Sequence, residues 1–149
     1  MTEAAAETNP ISLVGFRLAE ETDLPFVYMS IVKTLMKSTH WGWLSADFLI
    51  KHHNSYIENC LKRPTTKLVI AHPHDDPPTI LGFLLAEPKS ILHFVYVKEP
   101  FRRYGLAKAM LERLGMVLDK HCIFTHYTDD AATVLKAGKY KCRYYPYRF

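Results

Sequence analysis

The run Arg102-Arg103-Tyr104-Gly105-Leu106-Ala107-Lys108 gathers three cations around one glycine. Arg102, Arg103 and Lys108 supply charge suited to phosphate oxygens, and Gly105 lets an anion approach the main chain without a side chain in the way. Beyond it, Leu106, Ala107, Met110, Leu111, Leu114, Val117 and Leu118 recur at three- and four-residue spacing. That spacing predicts one buried face of a long helix starting at Leu106. The first N–H groups of such a helix have no intrahelical partners, and with the helix dipole behind them they attract anions. The turn reads as an anion cradle of a size and charge suited to a pyrophosphate.

Other clusters are weighed on the same terms. His72, His74, Asp75 and Asp76 could ligate a metal, but they sit in the proline-rich turn His72–Pro78, and a solvated turn is the preferred reading, so no metal is expected. His52 and His53 are adjacent on a helix and diverge, so they cannot chelate together. Cys122 beside His121 lacks an orienting third group and reads as packing rather than as a nucleophile. Trp41 and Trp43 flank Gly42 in a connection. They either plug the gap between helices and sheet or line an acceptor pocket. The tail from Lys139 to Phe149 interleaves cations with aromatics, as a single-strand nucleic-acid surface does, and equally as a final strand or a tyrosine-rich interface does. The strand or interface reading is preferred, with nucleic acid not expected as the partner.

The elements that must position these residues are legible in order. Ser12–Leu18 reads as a strand. A helix starts at Thr22-Asp23, with Leu24, Val27, Tyr28, Ile31 and Leu35 on its apolar stripe. A second runs from the N-cap Ser45 to about Lys62, burying Leu49, Tyr56, Cys60 and the Phe48 side. Thr66–Ala71 and Thr79–Ala86 form an antiparallel hairpin. Ser90–Val97 is a central strand stopped by Pro100, with His93, Val95 and Val97 on one face and Leu92, Phe94 and Tyr96 on the other. Cys122–His126 is a strand, Ala131–Ala137 a short helix ended by Gly138, and Tyr140–Phe149 a final strand or hairpin arm. At 149 residues, 48% of them hydrophobic, the chain suits one core over residues 11–149, with residues 1–10 poorly ordered. No apolar run approaches the roughly 18 residues of a membrane span. The three cysteines suit reduced thiols in a cytoplasmic protein. The net charge of +4 is mild and compatible with an anionic ligand.

Arg102-x-x-Gly105-x-Ala107, following a strand that ends at Val97 and opening a helix, resembles the acetyl-CoA-binding motif of the GNAT superfamily of N-acyltransferases. The order β-α-α-β-β-β-α-β-α-β agrees with that family over most of the chain. The resemblance implies an α/β GNAT-like fold, a mixed, mostly antiparallel sheet of six to seven strands flanked by about four helices. The central strand and the one after it would splay to admit the pantetheine arm. The backbone of Val95, Tyr96 and Val97 would pair with the pantetheine amides, and the amides from Arg103 through Tyr104, Gly105, Leu106, Ala107 and Lys108, with Arg102, would hold the pyrophosphate. Acetyl-CoA is then the cosubstrate.

Acetyl transfer to an amine needs a polarised thioester carbonyl, an acceptor that loses a proton, and a thiolate that benefits from gaining one. His93 has the intrinsic pKa of a general base, and Glu87 is the second candidate, acting through water. The bland alternative for His93 is a hydrogen-bonded histidine in a half-buried sheet. The family's acid, a tyrosine, would fall near Leu135 or Lys136, so Tyr127 and Tyr140 are the candidates here. The expected activity is transfer of acetyl from acetyl-CoA to a primary amine, on a small molecule or a protein, with a homodimer open. The alternatives are a GNAT-fold binding or structural module, and a nucleic-acid-associated protein using the tail.

Overall fold

The computed structural model describes residues 13–136, 138 and 141–146. The expectations for residues 1–10, for Tyr140 and for the end of the tail lie outside the described residues. Six strands form one sheet in the order β1 (Val14–Leu18), β2 (Lys67–Pro73), β3 (Gly82–Glu87), β4 (Ile91–Val97), β5 (Ile123–Phe124), β6 (Arg143–Tyr144). The first four pair antiparallel, and β4–β5 and β5–β6 pair parallel, so the sheet is mixed. The final strand is therefore not a hairpin arm. It reaches β5 by a crossover through a helix, as a parallel connection requires.

Among the described residues four α-helices flank the sheet: α1 (Leu24–Lys37), α2 (Ala46–Leu61), α3 (Leu106–Arg113) and α4 (Asp129–Lys136). Val27, Ile31 and Leu35 of α1, Leu49 and Ile57 of α2, and Ile70, Phe83, Leu85 and Phe94 of the strands form one core cluster. On the opposite face, Leu106, Met110 and Leu111 of α3 pack with Ala71, Leu84, Ala86 and Cys122. Ser45 caps α2, accepting from Phe48 N at 3.2 Å, whereas the Phe48 ring is 47% exposed rather than buried, lying over His52. Asp23 occupies the N-cap position of α1 without capping it. Its carboxylate instead takes Arg17 at 2.6 and 2.8 Å, and that guanidinium holds its pKa below the ordinary value. Among the described residues no helix is long and apolar enough to cross a membrane.

Two further sequence expectations are corrected. The helix after Gly105 stops at Arg113 and does not carry the apolar period through Leu118. Gly115 takes φ +66°, its N–H donates to Glu112 O at 3.0 Å, and Met116 N–H reaches Leu111 O at 2.9 Å. This is a Schellman stop; Met116 is buried beyond it while Val117 is left 65% exposed. The second correction lies in β4. Leu85 pairs with Phe94 but Ala86 pairs with Leu92, so His93 is the extra residue of a β-bulge. The bulge breaks strict alternation: Leu92, Val95 and Val97 pack toward α3, while Phe94 and Tyr96 pack toward α1 and α2. His93 reaches Tyr56 of α2, so it lies on the α1–α2 side, not with Val95 and Val97.

Candidate active site

β4 and β5 pair only at Ile91–Ile123 and Leu92–Phe124. The last rung between them is Thr125 N–H to Leu92 O at 3.1 Å, after which β4 runs on to Val97 paired with β3 only. Lys98 donates to Leu81 O at 2.9 Å, toward β3. By alternation Val95 and Val97 turn their peptide groups to the other edge, into the gap. A cleft of about 720 Å³ opens there, its wall including Val95, Tyr96 and Val97 of β4 and, across the gap, Phe124, His126 and Thr128.

The cleft ends at the mouth of α3. Gly105 is the N-cap at φ +79°, a left-handed conformation that favours glycine, and it offers no side chain to cap the helix. The helical bonds begin with Ala109 N–H to Gly105 O at 3.0 Å, which leaves the amides of Leu106, Ala107 and Lys108 without helical partners. Arg102, Arg103, Gly105, Leu106, Ala107 and Lys108 all line the cleft, whereas Tyr104 is 53% exposed and outside its wall. Arg102 Nε donates to Val97 O at 2.8 Å and its guanidinium lies 6.0 Å from the Tyr96 ring. These contacts fix the basic turn against the end of β4. An uncapped, basic helix mouth joined to a gap with turned peptide groups fits a diphosphate bearing an extended amide arm.

Beneath the bulge lies a buried polar chain. Glu87 Oε2 accepts from His93 Nε2 at 2.9 Å and from Arg63 at 3.2 Å, and Glu87 Oε1 accepts from Thr65 at 2.9 Å. A carboxylate can only accept, so the His93 proton sits on Nε2 and Nδ1 carries the lone pair. The Tyr56 hydroxyl, 2.7 Å away, donates to it. His126 Nδ1 faces His93 O at 3.0 Å and Thr125 Oγ1 at 2.9 Å, so it carries its proton there. Its Nε2 then accepts from His53 Nε2 at 2.8 Å. Trp41 stacks on His126 with ring centroids 5.9 Å apart.

The electrostatics follow from burial. Desolvation lowers the pKa of His93, opposed by its hydrogen bond to Glu87. Burial alone would raise Glu87, but bonds from His93 and Thr65 and the Arg63 charge leave it below the ordinary carboxylate value. Desolvation pushes His53 down to about 4 and His126 to about 3, each helped by a neighbouring imidazole. Burial raises the Tyr56 hydroxyl, which stays a neutral donor. The resting state is a Glu87 carboxylate beside a neutral His93.

His93 and Glu87, two separate candidates in the sequence, thus form one hydrogen-bonded pair. Both ring nitrogens of His93 face protein groups, Nε2 the Glu87 carboxylate and Nδ1 the Tyr56 and Thr125 hydroxyls. Tyr127 lies outside the cleft wall, its ring 5.4 Å from Tyr144 and 5.8 Å from His40. Trp41 packs against the first core cluster, while Trp43 is 79% exposed and lines a separate cavity. Cys122 is buried with its thiol pushed up to about 12, chiefly by desolvation. His72 Nδ1 bonds Pro73 O at 2.7 Å. Among the described residues no group of three or more His, Cys, Asp or Glu is arranged to hold a metal.

Sequence reasoning missed Tyr56, Thr125, His126, His53 and Arg63. Their signal was present but diffuse. His53 and His126 fall on elements that must be buried, where an imidazole requires a polar partner.

No protein-family model matches the chain, and no curated protein matches it by sequence. Solved structures do match. A possible acetyltransferase from Clostridium difficile 630 is 17% identical with a TM-score of 0.54, over 92% of this chain and 97% of that one. A PaiA N-acetyltransferase from Thermoplasma acidophilum, in complex with coenzyme A, is 14% identical with a TM-score of 0.57, over 85% and 87%. An aminoglycoside N-acetyltransferase in complex with CoA is 15% identical with a TM-score of 0.52, over 85% and 84%. At such identities the likeness is one of architecture, and with the open seam beside β4 it gives the conclusion: the chain has the fold of the GNAT acetyltransferases.

Proposed function

We propose that the chain is an N-acetyltransferase that moves an acetyl group from acetyl-CoA to a primary amine by direct attack. The observation that carries this reading is the gap between β4 and β5 leading to the uncapped, basic mouth of α3. Acetyl-CoA, when bound, supplies the activated thioester. The amides of Leu106, Ala107 and Lys108, with Arg102 and Arg103, would hold its diphosphate, and the peptide groups of Val95 and Val97 would hold its amide arm. The Glu87–His93 pair would draw the proton from the acceptor ammonium through water and the Tyr56 hydroxyl, with Glu87 stabilising the imidazolium that forms.

The test has two readouts. Acetyl-CoA should raise the melting temperature, because a ligand that binds only the native state stabilises it. A panel of primary amines should then release free thiol. Indifference to acetyl-CoA rejects the proposal. Stabilisation without thiol release from any amine makes the protein a CoA-binding module instead.

A further inference from the structure

The second cavity, of about 610 Å³, lies between the connection from α1 to α2 and the first turn of α4. His40, Trp43, Tyr127, Asp129, Thr39 and Thr133 line it, and among the described residues no lysine or arginine does. An indole and a phenol ring beside a carboxylate are the chemistry of a site for an organic cation.

The wall is built in advance. A Cβ on Gly42 would lie 2.5 Å from Ser38 O and 2.8 Å from Met36 O, so only glycine allows the tight turn that sets Trp43 near His40. Trp43 Nε1 donates to His40 O at 2.9 Å, which pins the indole while 79% of the residue stays exposed. Thr39 N–H donates to Asp129 Oδ1 at 3.0 Å and Thr39 Oγ1 to Oδ2 at 3.4 Å, tethering the connection to α4. A carboxylate has about four lone-pair positions, so Asp129 keeps capacity for a cation.

A carboxylate and aromatic faces favour the charged form of an amine. Attack on a thioester needs the neutral form. The nitrogen held in this cavity is therefore not the one that reacts. The two spaces sit back to back: His126, Thr128, Asp130 and Ala131 line the cleft, while Tyr127, Asp129, Ala132 and Thr133 line the cavity. We infer that the cavity holds a second, non-reacting cationic group of the acceptor, an alkylammonium or guanidinium, so that the acceptor is a diamine-type molecule. This rests on the acetyl-transfer reading and adds the substrate class to it.

The test compares diaminooctane with octylamine as acceptors, and measures diaminooctane binding by calorimetry in the presence of CoA. The diamine should show a KM about threefold lower, the size of a cation–aromatic contact at an exposed site. Trp43→Ala and Asp129→Asn should each bring that ratio close to one and weaken diaminooctane binding; asparagine keeps an oxygen for Thr39 N–H while removing the charge. Equal KM values for the two amines, or a preference that survives both substitutions, overturns the inference. If no amine is acetylated, calorimetry still decides: diaminooctane binding lost in both variants supports the cation site while the transfer reading fails. Absence of diaminooctane binding overturns the site.

Discussion

His93 holds its proton on Nε2 toward Glu87 and receives the Tyr56 hydroxyl on Nδ1. His93→Gln should keep a donor for Glu87 but lose the proton acceptor. Turnover should fall by roughly 10²–10⁴-fold, the usual contribution of a positioned base, with acetyl-CoA affinity changed far less. Steady-state kinetics with a cofactor titration checks this. A second expectation concerns His53, whose pKa falls from 6.5 to about 4 on burial. The folded state keeps it neutral while the unfolded chain takes up a proton below about pH 6.5, so the unfolded state binds more protons and stability drops as pH falls. Between pH 7 and 5 the loss should be about 2 kcal/mol from this residue alone, read from urea midpoints and reduced in His53→Leu. Glu87, depressed below 4.5, adds a separate loss only as pH falls below that value. At this scale the sequence marked His93 and Glu87 individually. It did not show that they touch, because their pairing depends on the turn from β3 to β4 and on the bulge.

α3 illustrates how a local stop overrides a period. Leu114, Val117 and Leu118 keep the helical spacing, yet Gly115 at φ +66° ends the helix. The glycine was visible in the sequence and the Schellman bonds give it its meaning. Gly115→Ala would meet nothing within 4 Å, so only the backbone conformation opposes it. The cost should be roughly 1–2 kcal/mol by thermal or urea melting. Gly105 invites a paired comparison, since it is left-handed at φ +79° and lies in the cleft wall. Gly105→Ala adds strain of the same size, while Gly105→Glu also sets a negative charge at the helix mouth. Acetyl-CoA affinity, measured by calorimetry on folded protein, should fall far more in Gly105→Glu than in Gly105→Ala. The strands and helices were legible from their apolar spacing. The bulge at His93 was not, because nothing in Leu92-His93-Phe94 departs from ordinary alternation, and the inserted residue appears only when β3 is laid alongside.

For the molecule as a whole, saturation with acetyl-CoA at about a hundred times its Kd should add about 2.7 kcal/mol of stability. The order of elements was readable end to end, while the cavity behind α4 needed Thr39 and Asp129, 90 residues apart, to meet. The same seam that opens the cleft also divides the sheet unequally. On one side stand four strands in an antiparallel meander, five to seven residues each. On the other, β5 and β6 have two residues apiece. Backbone amides of β2 and β3 should therefore exchange with deuterium only on global opening, and those of β5 and β6 through cheaper, local excursions. One bank of the seam is then rock and the other a hinge-like margin, so a molecule spanning it would slow exchange chiefly on the β5–β6 bank.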